Sequence, residues 1–192
     1  MKKLVYSLLA VFGVLSLSSC GYNSMVSLDE QVQSQWAQVQ NVYQRRADLI
    51  PNLVNTVKGA ANFEKETLTQ VIEARAKATA VNVDPTKLTP ESIEKFQAAQ
   101  GQLSSALGRL FVVTENYPEL KANANFQELQ AQIEGTENRI TVERQKFNTV
   151  TQEYNSKVRS FPNNLTASMF GFTTKGYFQA EAGSDKAPKV EF

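Results

Sequence analysis

The side chains best placed for chemistry lie near the middle of the chain. Glu134 and Glu137 are two carboxylates three residues apart, and Arg46 and Arg75 are cations inside otherwise apolar patterns. Paired carboxylates can act as general acid and base. Carboxylates that share one helix with basic residues more often form ion pairs, and Arg139 follows closely here. We therefore predict no catalytic residues and regard the chain as a non-enzyme.

The composition excludes several other kinds of site. The 192 residues include no His and a single Cys, Cys20. Histidine-based catalysis, zinc clusters and the Glu-x-x-His sites of di-metal bundles are therefore absent. A formal net charge of +1 gives no basic field for nucleic acid. We predict no metal, no cofactor and no nucleic-acid partner.

The first twenty residues predict export and lipid attachment. Lys2 and Lys3 precede an apolar run over 4–17, which is short for a membrane span, and residues 17–20 read LSSC. This resembles a bacterial lipobox, whose Cys is acylated (palmitate is a common acyl chain) after the signal is cut. We predict a cleaved signal over 1–19, lipid on Cys20 and a tether over 20–23; the alternative is an ordinary signal or anchor with an incidental Cys. The lipobox makes the expected place extracytoplasmic, and Gly21 stands where an Asp would favour inner-membrane retention in some bacteria. It would be the periplasmic face of the outer membrane if the organism has two membranes.

Apolar residues seven apart predict the elements that position these groups. The clearest row is Phe126, Ile133, Ile140, Phe147, Tyr154 and Phe161, and a similar pair of rows runs through residues 24–58. We predict helices over 24–58, 62–80, 90 to about 117 and 121–160. The fold class is all-α: an antiparallel up-down-up-down four-helix bundle over 24–160 with long first and fourth helices. The long rows also permit self-association.

The remaining residues, 161–192, form a predicted irregular tail rich in aromatic residues, Gly and Ser. Its aromatic side chains include Phe170, Phe172, Tyr177 and Phe178. The second helix is too short to cover the lower part of the first and fourth helices. The tail could pack there, or it could contact the membrane interface or a partner protein.

A polar layer is predicted across the middle of the bundle. Antiparallel alignment places Arg46 level with residue 138, and a buried cation needs a partner. The predicted members are Arg46, Asp48, Arg75, Gln100, Glu134 and Glu137. Pro51 lies about one turn away and should kink the first helix. The layer could fix the register of the helices, or it could bind a polar ligand.

Several of these stretches resemble the LemA family of bacterial proteins. The most specific are residues 43–54 (YQRRADLIPNLV) and 134–140 (EGTENRI), and further matches lie at 22–30, 74–76, 125–130, 154–155, 170–172 and 177–178. The resemblance implies an antiparallel helical bundle associated with membranes. It brings no established activity and no catalytic residues. Most relatives begin with a transmembrane anchor, whereas this chain has a lipobox.

Two hypotheses for function follow. In the first, the protein is a lipid-anchored, non-enzymatic scaffold or adaptor for another envelope protein. In the second, it is an envelope binding protein or sensor that uses the polar layer. Long helical faces without reactive chemistry favour the first.

Overall fold

A computed structural model of the chain describes residues 2–59 and 63–180, with side chains from Gly21 onward. The side chain of Cys20 and residues 181–192 therefore lie outside the described part. The helices are α1 Lys2–Lys58, α2 Lys65–Ala80, α3 Pro90–Thr114, α4 Pro118–Lys121, α5 Ala124–Arg159 and α6 Asn163–Phe170. The fold class is all-α, and none of these described residues forms a strand.

Two long helices, α1 and α5, run antiparallel and pack along most of their length. Their contact follows the row of residues seven apart, because Phe126, Ile133, Ile140, Phe147 and Tyr154 are all buried. The row ends there. Phe161 lies beyond the end of α5 and is 81% exposed.

The detail of a four-helix bundle is not confirmed, since the described chain has six helices. The expected fourth helix begins late because Pro118 starts a separate turn, α4. Asn123 then caps α5 by accepting hydrogen bonds from the backbone N–H groups of Asn125 and Phe126. The predicted start of α3 agrees better: Thr89 caps it and Pro90 is its first residue.

The core has two parts, one on each side of the predicted polar layer. The upper core lies where α2 and α3 pack on α1 and α5, and its large residues include Ile50, Leu53, Leu107, Leu110 and Phe126. The lower core lies nearer Gly21. It contains Met25, Trp36, Phe96, Phe147, Tyr154 and Phe178.

The tail is not irregular throughout. Residues 163–170 form α6, which packs against α1 and α5. Gly171, with φ of 77°, ends this helix in the left-handed region that glycine favours. The chain then continues without regular structure to residue 180. Composition did not predict this helix, because the Asn, Ser and Thr residues in 163–168 favour turns as readily as helices.

Candidate functional site

Arg46 is the centre of a buried polar layer that joins α1, α3 and α5. Its side chain is only 1% exposed. One terminal nitrogen donates to Glu137 Oε1 and to Ser104 Oγ at 2.7 Å, and the other donates to Gln100 Oε1 at 2.6 Å. Glu137 is 37% exposed, so the ion pair reaches the surface on one side. The predicted register is off by a single position, since the partner is residue 137 and not 138.

Two further contacts tie α2 to this layer. Gln100 donates its amide to the carbonyl of Ala78, at 3.2 Å. Arg75 Nε donates to the carbonyl of Ala47, at 2.7 Å. The helices α1, α2, α3 and α5 therefore all contribute to one level of the molecule. A layer of this kind fixes the height of each helix relative to the others, because a shift of one turn would leave a buried charge without its partners.

The structure leaves two predicted members outside the layer. Asp48 is exposed and accepts from Gln44, one turn away on α1. Glu134 is exposed on α5 and accepts from Gln130. Both carboxylates are exposed, whereas Arg46 and Glu137 occupy the positions of α1 and α5 that form the layer. α1 continues through Pro51, and the kink there stays a prediction.

Ser104 is the member that the sequence prediction missed. It lies one turn beyond Gln100 on α3, and its hydroxyl contacts both Arg46 and Glu137. The spacing from Gln100 is the signal that could have revealed it, because residues four apart share one face of a helix. Because Ser is common on exposed helix faces, the residue type alone did not indicate that Ser104 belongs to the layer.

The layer retains one unused polar atom. Arg46 Nε is buried and has no hydrogen-bond partner within the described residues. A cleft of about 260 Å³ lies at the level of the layer, lined by Tyr43, Ala47, Ala78 and Gln100 among others. Burial raises the pKa of Tyr43, an effect that the nearby Arg144 and Arg46 guanidinium groups partly offset. The cleft could hold a small group with hydrogen-bond acceptors.

From Gly21 to Gly59 and from Phe63 to Ala180, no group of acidic or thiol side chains could hold a metal ion. The carboxylate of Glu137 is committed to Arg46. Glu143 has a lowered pKa, mainly because Lys146 donates to it, so this group is a surface ion pair.

A second constellation, which we name the tail clamp, holds residues 175–179 against the bundle. It consists of three side-chain amides, each bonded to both polar backbone groups of one tail residue. Asn155 bonds Lys175, Asn148 bonds Phe178 and Gln97 bonds Gln179, with distances of 2.8–3.0 Å. The backbone of Gly176 also donates to the carbonyl of Leu88, at 2.8 Å. The tail is therefore fixed through its backbone.

Two tail side chains complete the attachment. The Phe178 ring lies among Trp36, Phe96 and Phe147, with ring centroids 5.5–6.4 Å apart. Lys175 is buried and pairs with Asp29 at 2.7 Å. The tail thus fills the part of the lower core that α2 does not reach.

The four predicted tail aromatics take different positions. Phe178 is core, and Phe172 is half-buried. Phe170 is 59% and Tyr177 is 40% exposed. Of the four, Phe170 and Tyr177 are exposed and the other two are not, so the predicted contact residues do not form one group.

Comparisons with known proteins agree on one family. A sequence model of the LemA family matches residues 35–192. The magnetosome protein MamQ 2 of Paramagnetospirillum magneticum is 25% identical over 199 residues, which cover 95% of this chain and 73% of the relative. The protein LemA of Metamycoplasma hominis is 26% identical over 158 residues, covering 82% of this chain and 68% of the relative. MamQ of Magnetospirillum gryphiswaldense is 24% identical, covering 95% and 73%.

Proposed function

The chain belongs to the LemA family of membrane-associated proteins, and we propose that it is a lipid-anchored, non-enzymatic scaffold of the cell envelope. In this proposal the signal over 1–19 is removed, Cys20 carries the lipid and the bundle holds another envelope protein near the membrane. Neither the family nor its MamQ relatives are known enzymes. No helix among the described residues has an apolar stretch long enough to cross a membrane.

One observation carries the proposal: the polar groups in the interior are used to hold the helices and the tail. Arg46, Lys175 and the three amides of the tail clamp all bond within the chain. What the body offers to other molecules is therefore its surface. A rigid body with internally bonded polar groups suits a role in holding a partner.

The face formed by α2 and α3 is the surface that we assign to the partner protein. Val112 is 70% exposed and Ile72 is 45% exposed on these helices. A shallow cleft of about 530 Å³ lies between them, lined by Thr67, Ser105, Gly108 and Val112 among others. Exposed apolar side chains beside a cleft are typical of protein contact surfaces.

Crosslinking in intact cells tests this assignment. A photoreactive residue replaces Val112 in one chain and Val142 in another, because Val142 is 48% exposed but lies on α5. We expect one dominant partner to be captured from position 112 and not from 142. Equal capture at both positions, or links only within the chain, would contradict the scaffold proposal.

The anchor is tested separately. Labelled fatty acid should enter the unaltered chain and not the Cys20→Ala variant, and the variant should lose the partner captured at position 112. Labelling of the variant would show that Cys20 does not carry the lipid.

A sensor of small polar ligands is a second candidate, favoured by the cleft that Tyr43 and Gln100 line at the level of the polar layer. Thermal unfolding of the full chain in detergent, with panels of metabolites and peptidoglycan fragments, tests it. A ligand at a hundred times its dissociation constant should add about 2.7 kcal/mol to the free energy of unfolding. No shift with any compound would remove this candidate.

A further inference from the structure

One end of the molecule carries a largely exposed apolar surface. We name it the end patch: Phe161, Leu165, Met169 and Phe170, which are 81%, 62%, 79% and 59% exposed. Leu165 and Met169 are four residues apart and share one face of α6, and Phe161 lies just before this helix. The only buried residue of this helix is Ala167.

This arrangement is the reverse of an ordinary core helix. A helix that packs on a protein turns its large apolar residues inward and its small or polar residues outward. Here the small Ala167 is inward, and the large Leu165 and Met169 face outward. Leaving several large apolar side chains in water is unfavourable, so a surface of this kind marks a contact with something apolar.

The position of the end patch identifies that contact. α6 packs on the first described side chains of α1. A Cβ atom at Gly21 would lie 2.6 Å from Asn163 Oδ1, so the two helices approach closely there. The ring of Tyr22 lies 4.9 Å from that of Phe170 and 5.7 Å from that of Phe172. The end patch is therefore beside the residue pair that follows Cys20.

The length of helix from Cys20 to Tyr22 is smaller than the thickness of a membrane interface. Two residues of helix span about 3 Å along the axis. The headgroup region on each side of a bilayer is roughly 5–7 Å thick. If Cys20 is at the membrane surface, as the proposed function requires, Phe170 is at the level of the headgroups.

Basic residues lie close to the end patch in the chain. Lys157 and Arg159 are in the last turn of α5, shortly before Phe161, and Arg159 is exposed. An apolar face with a basic border is typical of segments that lie in the interface of a membrane with anionic lipids.

We propose that the end patch inserts into the interface of the membrane that carries the N-terminal segment, with α6 lying in the headgroup layer. This inference rests on the proposed membrane anchoring. The protein then has two attachments to one membrane, Cys20 and α6. Two attachments fix the orientation of the bundle, whereas a single lipid would let it swivel.

Lipid quenching of tryptophan fluorescence tests the inference. The full chain, purified with its own anchor, is reconstituted in phosphatidylethanolamine–phosphatidylglycerol vesicles that contain lipids brominated near the headgroup. Phe170→Trp places a probe in the end patch, and Val112→Trp is the control, being 70% exposed on α3. Trp36 is buried, and its signal in the unaltered chain is subtracted.

We expect the fluorescence added at position 170 to fall by about half or more, and that added at position 112 to be unaffected. Adding Leu165→Asp and Met169→Asp should abolish quenching at 170, and both sites are exposed enough to accept the change without unfolding. Equal quenching at 170 and 112 in vesicle-bound protein would overturn the inference. So would a blue-shifted emission at 170 without quenching, which would indicate contact with protein.

Flotation of the same vesicles separates this inference from the proposed anchoring. If the unaltered chain does not float with the vesicles, the anchoring itself is wrong. If it floats and position 170 is not quenched, the anchor holds and only the end patch assignment fails.

Discussion

Asn148 holds Phe178 through both polar groups of its backbone. The side-chain carbonyl of Asn148 accepts from the Phe178 N–H at 2.9 Å, and the amide donates to the Phe178 carbonyl at 2.8 Å. The ring of Phe178 meanwhile lies against Trp36 in the lower core. Hydrogen bonds from Asn148 therefore hold the backbone of Phe178, and packing in the lower core holds its ring.

Phe178→Ala should lower the free energy of unfolding by about 3–5 kcal/mol, because removing a buried ring leaves a cavity among Trp36, Phe96 and Phe147. Tyr177→Ala is the matched control. Its ring is 40% exposed, and the expected change is small, about 0.5 kcal/mol. Urea unfolding of the full chain in detergent measures both. Similar losses for the two variants would mean that Phe178 does not anchor the tail.

Asn155→Ala should release the tail from the lower core. The change leaves the buried N–H and carbonyl of Lys175 without partners, which costs about 1–3 kcal/mol. Hydrogen exchange at residues 173–180 should become faster, while exchange in α3 stays unchanged. Asn164→Ala, at an exposed position of α6, provides the control. Unchanged exchange of the tail in the Asn155 variant would argue against the tail clamp.

Arg46→Ala should destabilise the protein by about 3–5 kcal/mol, because it removes the charge that pairs with Glu137 and the donors to Gln100 and Ser104. The adjacent Arg45 is exposed, so Arg45→Ala removes the same charge at almost no cost. Chemical unfolding compares the two. A loss below about 0.5 kcal/mol for Arg46→Ala would place this side chain at the surface.

The protein should lose stability in alkaline solution through Tyr154. Burial raises the pKa of this hydroxyl from 10.0 to about 12, and the charge of Asp29 adds to the effect. The raised pKa favours the neutral form in the folded state. Its stabilising contribution is therefore complete below pH 10 and is lost as the pH rises from about 10 to about 12.

Unfolding free energies at about pH 9 and about pH 11 measure this dependence. Tyr154→Phe also loses the hydrogen bond to the Thr173 carbonyl and should be less stable throughout. The free energy of unfolding of this variant should nevertheless fall less steeply with pH than that of the unaltered chain. An unchanged slope would mean that Tyr154 ionises normally. The raised pKa of Tyr43 should leave some slope in the variant.

Two glycines should respond to alanine in opposite directions. Gly135 is exposed within α5, and a Cβ there meets nothing within 4 Å, so Gly135→Ala should stabilise the protein by about 0.5–1 kcal/mol. A Cβ at Gly176 would lie 2.7 Å from the Pro90 backbone, so Gly176→Ala should push the tail away and destabilise the protein. Thermal unfolding of the two variants checks the signs. Stabilisation by both would show that the tail does not approach α3 so closely.

Much of the fold was predictable because it depends on periodic apolar residues. The row from Phe126 to Tyr154 is buried as expected, and the restart at Thr89 and Pro90 begins α3 where it was placed. Antiparallel counting also brought Arg46 close to Glu137. Each of these inferences uses a spacing that the helix geometry imposes.

The tail was not predictable by the same means. Its attachment depends on single amides of Asn148, Asn155 and Gln97, and amide side chains on a helix have no spacing that distinguishes a clamp from a solvated face. α6 was not predicted for a related reason: Leu165 and Met169 face outward, and the inward residue is Ala167. Asp48 was misplaced because a carboxylate near a buried cation in sequence can still lie on an exposed side of its helix. Glu134 was misplaced because Glu137, on the same helix, is the carboxylate that pairs with Arg46.

The tail clamp also affects the order in which the chain can fold. The backbone of Gly176 bonds to Leu88, and Gln179 bonds to Gln97, so contacts across more than eighty residues close the lower core. The ribosome must make residue 178 before Trp36 has its last neighbour. The lower half therefore closes only when nearly the whole chain is available, and a nascent or partly exported chain keeps it open. A premature stop just after α6 would leave the upper core intact and the lower aromatic cluster exposed to proteases and aggregation.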